Sequence, residues 1–350
     1  MAHRCNIGLI GAGWMGSEHG RNILKNSSAK LIAIADEDEE NVKGFMQQNN
    51  IEVTYYKDYN ELLSKDNIDA VIICTPNNTH KELSISAARA GKHIYCEKPM
   101  AITLNECKEI KEEVLKSKVK YLIGYHRRFN PLYQYIKELQ DGGMLGKGYY
   151  IESDYIHYIP PDLPIFNWLG KENIAGSIFH AGCGHNIDLI RFFLGDVEEV
   201  FCFKDIYHSR KIQVETEDSA VAVLRFKNRA IGKCFLGFGA ITPFSFDFNY
   251  YCTKATVKNN KIWFKSMPEF YETGHEKDCL TLPESWIPDN KQGGIAEPWD
   301  KSINHFIDAI KNNKPILNDV ESAYKTSEVC FAVIKSAIEK KVVKIDTIES

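Results

Sequence analysis

The stretch that most constrains this 350-residue chain is its beginning. An apolar run, Cys5-Asn-Ile-Gly-Leu-Ile10, ends in Gly11-Ala-Gly-Trp-Met-Gly16 and gives way to a helical pattern reaching about Lys25. A short apolar run followed by glycines at this spacing reads as a strand turning tightly into a helix. Gly11 is expected to permit the turn, Gly13 to let a ligand approach the backbone, and Gly16 to let helix and strand pack closely. The helix start, with Trp14 and Met15 in its first turn, presents unpaired N–H groups and the positive end of its dipole. Both favour an anion such as a diphosphate.

The alternation continues through the first 125 residues. Apolar runs at 30–35, 69–75, 93–96 and 120–124 are separated by helical patterns at 38–49, 59–64, 79–90 and 103–117. Strands apolar on both faces and alternating with helices imply a doubly wound parallel sheet, a Rossmann-type α/β domain whose ligands bind beyond the carboxyl ends of the strands. Asp36 closes the second strand 20 residues after Gly16, where an acid accepts hydrogen bonds from the ribose of a dinucleotide. A carboxylate there repels a 2′-phosphate. Glu37 and Asp38 follow it, and no Arg or Lys stands nearby, so NAD is expected over NADP. Thr75-Pro76-Asn77-Asn78-Thr79-His80 follows another strand at the same edge. Its Thr75, Pro76, Asn77 and His80 either line the cofactor or make an ordinary strand-to-helix turn.

Composition excludes several classes. With 44% hydrophobic and 26% charged residues the chain is not disordered, and 43 basic against 47 acidic residues argues against a nucleic-acid binder. No uninterrupted apolar window is long enough to span a membrane. The start lacks a secretory pattern, and the ten cysteines are scattered without a Cys-x-x-Cys pair. A cytoplasmic protein with buried thiols is the expectation. The length suits two domains, divided as 1–125 and 126–350.

From Tyr149 the pattern changes to strands at 149–158, 198–206, 220–226, 230–236, 244–252 and 261–264, with Lys227-Asn228-Arg229 as a hairpin connection. One helix is expected at 184–194, two more at 299–312 and 319–340, and a last strand at 342–345. Residues 266–297, rich in Pro and Gly, read as a long loop that covers the site or serves an interface.

Cys96-Glu97-Lys98-Pro99, together with the glycine turn, Thr75-Pro76-Asn77 with His80, Gly124-Tyr-His-Arg-Arg-Phe-Asn-Pro131 and the segment Gly176 to Asp188, resembles the glucose–fructose oxidoreductase/inositol dehydrogenase/MocA (Gfo/Idh/MocA) family over nearly the whole chain. The resemblance implies a Rossmann domain followed by an α+β domain with a large, mostly antiparallel open sheet, and a homodimer or homotetramer. It also implies an NAD-dependent dehydrogenase or reductase acting on a secondary alcohol of a sugar, inositol or related polyol. Lys98 and His185 would share the hydroxyl proton, with Glu97 beside the cofactor. Local physics agrees for Lys98, which follows a strand at the ligand edge where partial burial lowers an ammonium pKa. An imidazole near its reference pKa suits His185 for acid–base work at neutral pH.

The family motif Asp-x-x-x-His-x-x-Asp is incomplete here: aligned on His185 and Asp188, its first acid falls on Ala181. His180 is the nearby side chain that could take up the vacated polar role, and Asp188 either orients His185 or packs structurally. Arg127, Tyr155, His157 and Trp168 are further candidate substrate contacts, since aromatic faces and polar donors suit a sugar. His180, Cys183 and His185 invite a metal reading, but no second ligand cluster supports one, and no metal is expected. Two other readings stay open: a glycosidase or epimerase-like enzyme holding NAD tightly and working through a transient keto-sugar, and a non-catalytic nucleotide-binding protein.

Overall fold

A computed structural model describes residues 4–158, 166–207, 215–265, 279–288 and 297–348. The first sheet has six parallel strands: β1 (Cys5–Ile10), β2 (Ala29–Ala35), β3 (Thr54–Tyr56), β4 (Ala70–Ile73), β5 (His93–Cys96) and β6 (Tyr121–Ile123). Their order is β3-β2-β1-β4-β5-β6. Helices α1 (Trp14–Lys25), α2 (Glu39–Asn49), α3 (Tyr59–Leu63), α4 (His80–Arg89) and α5 (Leu104–Ser117) make the crossovers. All four residues of β4 are fully buried, which is why the strand reads as one apolar run. β3 carries no such run: it is three partly exposed residues at the sheet edge. The order reverses between β1 and β4, and the crevice of a doubly wound sheet opens at that point.

Two glycines show why the opening motif is fixed. Gly11 has φ +89°, and a Cβ there would meet the Cys74 carbonyl oxygen at 2.6 Å. A Cβ on Gly16 would lie 1.9 Å from the Gly11 carbonyl oxygen. Both clashes are with backbone, which cannot swing aside.

The second half begins with α6 (Pro131–Asp141), capped by Asn130, and then β7 (Gly148–Ile156). Short helices α7 (Phe166–Leu169) and α8 (Glu172–Ala175) lead to the long α9 (Ile178–Leu194). Strands β8 (Val197–Asp205), β9 (Ser219–Phe226), β10 (Ile231–Gly237), β11 (Ser245–Cys252), β12 (Ala255–Lys258), β13 (Lys261–Phe264), β14 (Leu280–Thr281) and β15 (Val343–Lys344) complete a nine-stranded sheet with β7. Its order is β14-β13-β12-β11-β7-β10-β9-β8-β15. Among the described residues of this sheet only β7 and β10 pair parallel, and the expected β9–β10 hairpin is present with Arg229 at φ +72° in its turn. Burial alternates along β9 and β11, so one face of the sheet is core and the other is open.

Helix α9 starts at Ile178, six residues before its expected beginning, with Ser177 capping it. Gly182 and Gly184 hid its first turns, because glycine in sequence reads as a helix breaker. Their reason is tertiary. A Cβ at 182 would meet the Phe238 ring at 2.7 Å, and one at 184 the Tyr125 hydroxyl at 2.9 Å. Asp188 is fully buried and accepts a bidentate pair from Arg128, Nε at 2.6 Å and Nη2 at 2.7 Å. Asp188 therefore ties α9 to the crossover segment and does not orient His185. A pair this buried is costly to break from one side, about 3–5 kcal/mol.

The last helices, α10 (Trp299–Lys311) and α11 (Val320–Glu339), return to the first sheet. Ile303, Phe306 and Ile307 of α10 share a core with Cys5, Ile7 and Leu9. Helix α11 gives Val320, Ala323 and Tyr324 to the first sheet's core and Val329, Cys330 and Val333 to the second's. It is thus packed between the two halves. The ten cysteines are free thiols, most of them buried. Among the described residues no helix is long and apolar enough to cross a membrane. Most of the covering loop expected at 266–297 lies outside the described residues.

His180 stands in the packing of α9 against α11. It is 2% exposed, its ring meets Phe331 edge-on at 4.8 Å, and its Nε2 has no partner. Burial, reinforced by the charge of Lys98, pushes its pKa down to about 3.

Two predictions follow from this packing. Gly16→Ala should lower the unfolding free energy in urea by about 1–3 kcal/mol. Gly13→Ala, whose Cβ meets nothing within 4 Å, should change it by less than ~0.5 kcal/mol. For His180, an unfolded imidazole binds its proton below about 6.5, whereas the folded one does so only near 3. Stability is therefore lost as pH falls through that window. His180→Phe should flatten the fall of Tm between pH 6 and 4 and leave Tm near pH 8 little changed; an unaltered acid limb would contradict this.

Candidate active site

The site is built where the carboxyl ends of the first sheet face the start of α9. On the nucleotide side, Gly13 is exposed and caps α1 without any side-chain bond, so the first-turn N–H groups of Trp14 and Met15 stay uncapped by a side chain. Asp36 sits against this turn: its Oδ2 accepts from the Ala12 N–H at 2.6 Å and its Oδ1 from Asp38 N–H at 2.9 Å. An open glycine, a helix N-terminus free of side-chain caps and a carboxylate locked beside them fit a dinucleotide with an unphosphorylated ribose.

The two loops at the neighbouring strand ends are cross-braced. His80 is 1% exposed; its Nδ1 bonds to the Pro99 carbonyl at 2.7 Å and its Nε2 to the Thr75 carbonyl at 2.9 Å. Burial opposes charge on this ring, but Cys96 and the two carbonyl acceptors outweigh it and raise the pKa to about 9. Only an imidazolium can donate to both carbonyls. His80 thus has no nitrogen left for a ligand, a correction to its expected cofactor role. Asn77 donates to the Ala175 carbonyl at 2.8 Å, which commits its amide to α8. Thr75 and Thr79 share a hydroxyl bond of 2.6 Å, while Pro76 stays exposed. Glu97 is buried and accepts from His19 Nε2 at 2.7 Å and from the Lys98 N–H at 3.2 Å. Burial would raise its pKa, but the His19 hydrogen bond, with Lys98 and His126 beside it, holds it below the ordinary value.

Lys98 crosses to the second half: its Nζ donates to the Ala181 carbonyl at 3.1 Å. That carbonyl is one helical turn before His185 on α9. Burial lowers the Lys98 pKa; Glu97 and Glu297 pull it back up, and Arg127 adds to the fall. His185 is 5% exposed, with its Nδ1 unpartnered. Its ring lies 4.6 Å from that of His126 and 5.6 Å from that of Tyr125. Burial first, then the charges at His126, Lys98 and Arg127, push its pKa well below 6.5. The expectation of an imidazole near its reference value is therefore corrected: His185 is neutral, because it is buried with positive groups around it. Cys183 points into the sheet core, His180 to Phe331 and His185 to Tyr125 and His126, so these three side chains diverge.

The wall beyond is aromatic. Tyr155 meets Phe238 at 5.1 Å and Phe244 at 5.5 Å, and His157 stacks on it at 6.2 Å. The Arg127 guanidinium lies 4.1 Å over the Phe246 ring. Trp168 is partly buried on α7. Two residues escaped the sequence reading. Glu297 accepts from Arg127 Nη2 at 2.6 Å and from His126 Nε2, across about 170 positions of chain. His19 reaches Glu97 across 78. No motif announces either, because both pairings are made by the tertiary fold.

Comparisons with known proteins agree with this architecture. Residues 5–125 match the model of the GFO/IDH/MocA oxidoreductase family with its NAD-binding Rossmann fold, and 133–258 match the family's C-terminal domain. The chain is 35% identical to a myo-inositol 2-dehydrogenase of Thermotoga maritima over 65% of its own length and 66% of the relative's. It is 27% identical to the scyllo-inositol 2-dehydrogenase (NAD(+)) of Bacillus subtilis over 93% and 99% of the two chains. The crystal structure of a probable dehydrogenase from Thermotoga maritima superposes with a TM-score of 0.82 at 27% identity, covering 98% of this chain and all of that one. The open glycine turn with its locked Asp36, the Lys98 bridge to α9 and these matches lead to one statement: the chain belongs to the Gfo/Idh/MocA family of oxidoreductases, with that family's NAD-binding Rossmann fold.

Proposed function

We propose that this protein is a dehydrogenase that interconverts a secondary alcohol of an inositol, sugar or related polyol with the corresponding ketone. One observation carries the reading. The Lys98 ammonium, from the nucleotide half, bonds to the α9 backbone one turn before His185, so a partly buried cation and a buried neutral imidazole from separate halves meet at the start of α9. NAD, when bound, accepts the hydride. The chain's own groups handle the proton and the charge. Lys98, with its depressed pKa, donates a hydrogen bond to the developing alkoxide, and the neutral His185 is free to accept the hydroxyl proton. A dry site makes both interactions stronger than in water. The aromatic wall of Tyr155 and His157 offers C–H stacking and a polar edge, and Arg127 an N–H fork. The names of the inositol dehydrogenase relatives support this reading over a glycosidase or a non-catalytic binder.

The open face of the second sheet presents Phe203, 70% exposed, paired across strands with Val221, and Val223 paired with Phe201. A patch of this kind is where a homodimer or homotetramer would form.

Lys98→Met should keep NAD binding, read by fluorescence titration, within a few-fold of wild type while lowering kcat on the active polyol by about 10²–10⁴. Equal losses in binding and turnover would show a structural role only. Asp36→Ser removes the carboxylate that repels a 2′-phosphate and the brace on the Ala12 N–H. The ratio of kcat/KM for NAD to that for NADP should fall by at least about tenfold, a shift of roughly 1.4 kcal/mol in transition-state binding.

A further inference from the structure

The crevice lacks an acid at 181 but holds one that comes from elsewhere in the chain. The Glu297 side chain is 5% exposed, lies just ahead of α10 and bonds to both His126 Nε2 and Arg127 Nη2. A carboxylate accepting from Nε2 fixes the His126 tautomer, so Nδ1 carries the lone pair. That Nδ1 is buried and has no partner. The His126 ring in turn lies 4.6 Å from His185, whose Nδ1 is buried and unpartnered as well. Trp299, two residues beyond Glu297, packs edge-on against His126 at 5.8 Å and against Trp14 of the glycine turn at 5.8 Å. A short segment before α10 thus links the nucleotide turn to the imidazole pair.

We propose that Glu297 is a positioning residue that stands in for the carboxylate missing at Ala181, acting through His126 and on Lys98. The proposal rests on the dehydrogenase reading. In the reaction the carbinol carbon loses its hydride to NAD, the C–O bond becomes C=O, and the hydroxyl proton passes to the imidazole pair. Glu297 makes that pair more basic and keeps Lys98 protonated.

The charged and titratable groups around it set the sign of the effect. His126, Arg127 and Lys98 face Glu297, and the Tyr133 and Tyr155 phenols feel its charge. His126 also faces Glu97 and His185; Lys98 also faces Glu97, Arg127, His180 and His185. Removing the negative charge at 297 takes away a group that holds the Lys98 pKa up, so that pKa falls, and it withdraws the carboxylate acceptor from His126 Nε2.

Glu297→Gln replaces the carboxylate with a neutral amide of the same shape. The pH profile of kcat/KM on the active polyol should move to lower pH by about 1 unit on both limbs, with NAD affinity kept within a few-fold. The double variant Ala181→Asp/Glu297→Gln should move the limbs back toward wild type. Limbs that stay in place in Glu297→Gln, whatever the loss of rate, overturn the proposal. A readout independent of turnover is the ring ¹⁵N spectrum of histidine-labelled protein. His126 should lose its fixed Nε2–H tautomer in Glu297→Gln; an unchanged His126 signal overturns the proposal even if no polyol is turned over. Absence of polyol turnover in the wild-type protein would defeat the dehydrogenase reading and leave this spectral test standing. If Glu297→Gln does not fold, Glu297→Asp, which draws the carboxylate back from His126, should move the same limbs in the same direction by less, and limbs that stay in place there are equally contrary.

Discussion

The structure depends on holding a partly buried cation between the first sheet and α9. Lys98 leaves the carboxyl end of β5 and reaches the backbone of α9, and its charge is felt by nearly every titratable group around it. An ammonium taken out of water is costly unless it finds acceptors and opposite charge. Here the Ala181 carbonyl gives the hydrogen bond, while Glu97 and Glu297 give the charge. This cation adds to what burial begins: His180 and His185 are held neutral by burial with its charge behind it, and it joins His19, Arg127 and His126 in keeping both carboxylates ionised.

Holding Lys98 there requires that its surroundings not move. The doubly bonded His80 clamps the Pro99 carbonyl to the Thr75 carbonyl. The Arg128–Asp188 pair, with Ser322 and Thr326 on α11 joined to it, fixes α9 against the crossover. Several residues of the sequence motifs thus work as braces, and the chemistry is left to fewer side chains than the motifs suggest. The loss of an acid at 181 is tolerable in such a frame, because it removes a charge from a site that already holds two others.

Most of the first half was legible in the sequence for a plain reason. Strands buried on both faces leave continuous apolar runs, and the glycine turn has few structural solutions. The second sheet was legible strand by strand, through the alternation of β9 and β11, but its order was not, since strand order is made by long-range pairing. The start of α9 was hidden because Gly182 and Gly184 answer to Phe238 and Tyr125, which are distant in sequence. The same limit applies to the site. Lys98, His185 and Asp36 stand in local motifs and could be found; Glu297 and the His19–Glu97 pair are contacts of the folded chain alone. The charge state of His185 is not legible there, because a pKa depends on burial and on neighbouring charge, and neither is written in the residue's own neighbourhood.

The central claim is spatial: the ammonium of residue 98 and the imidazole of residue 185 act on the same hydroxyl group. A crystal structure of the protein with NADH and a bound polyol measures this directly. The account predicts one polyol oxygen within about 3.5 Å of both Lys98 Nζ and a His185 ring nitrogen, with the dinucleotide phosphates over Gly13. A polyol held elsewhere, or one that touches neither side chain while the dinucleotide fills the glycine turn, would contradict it.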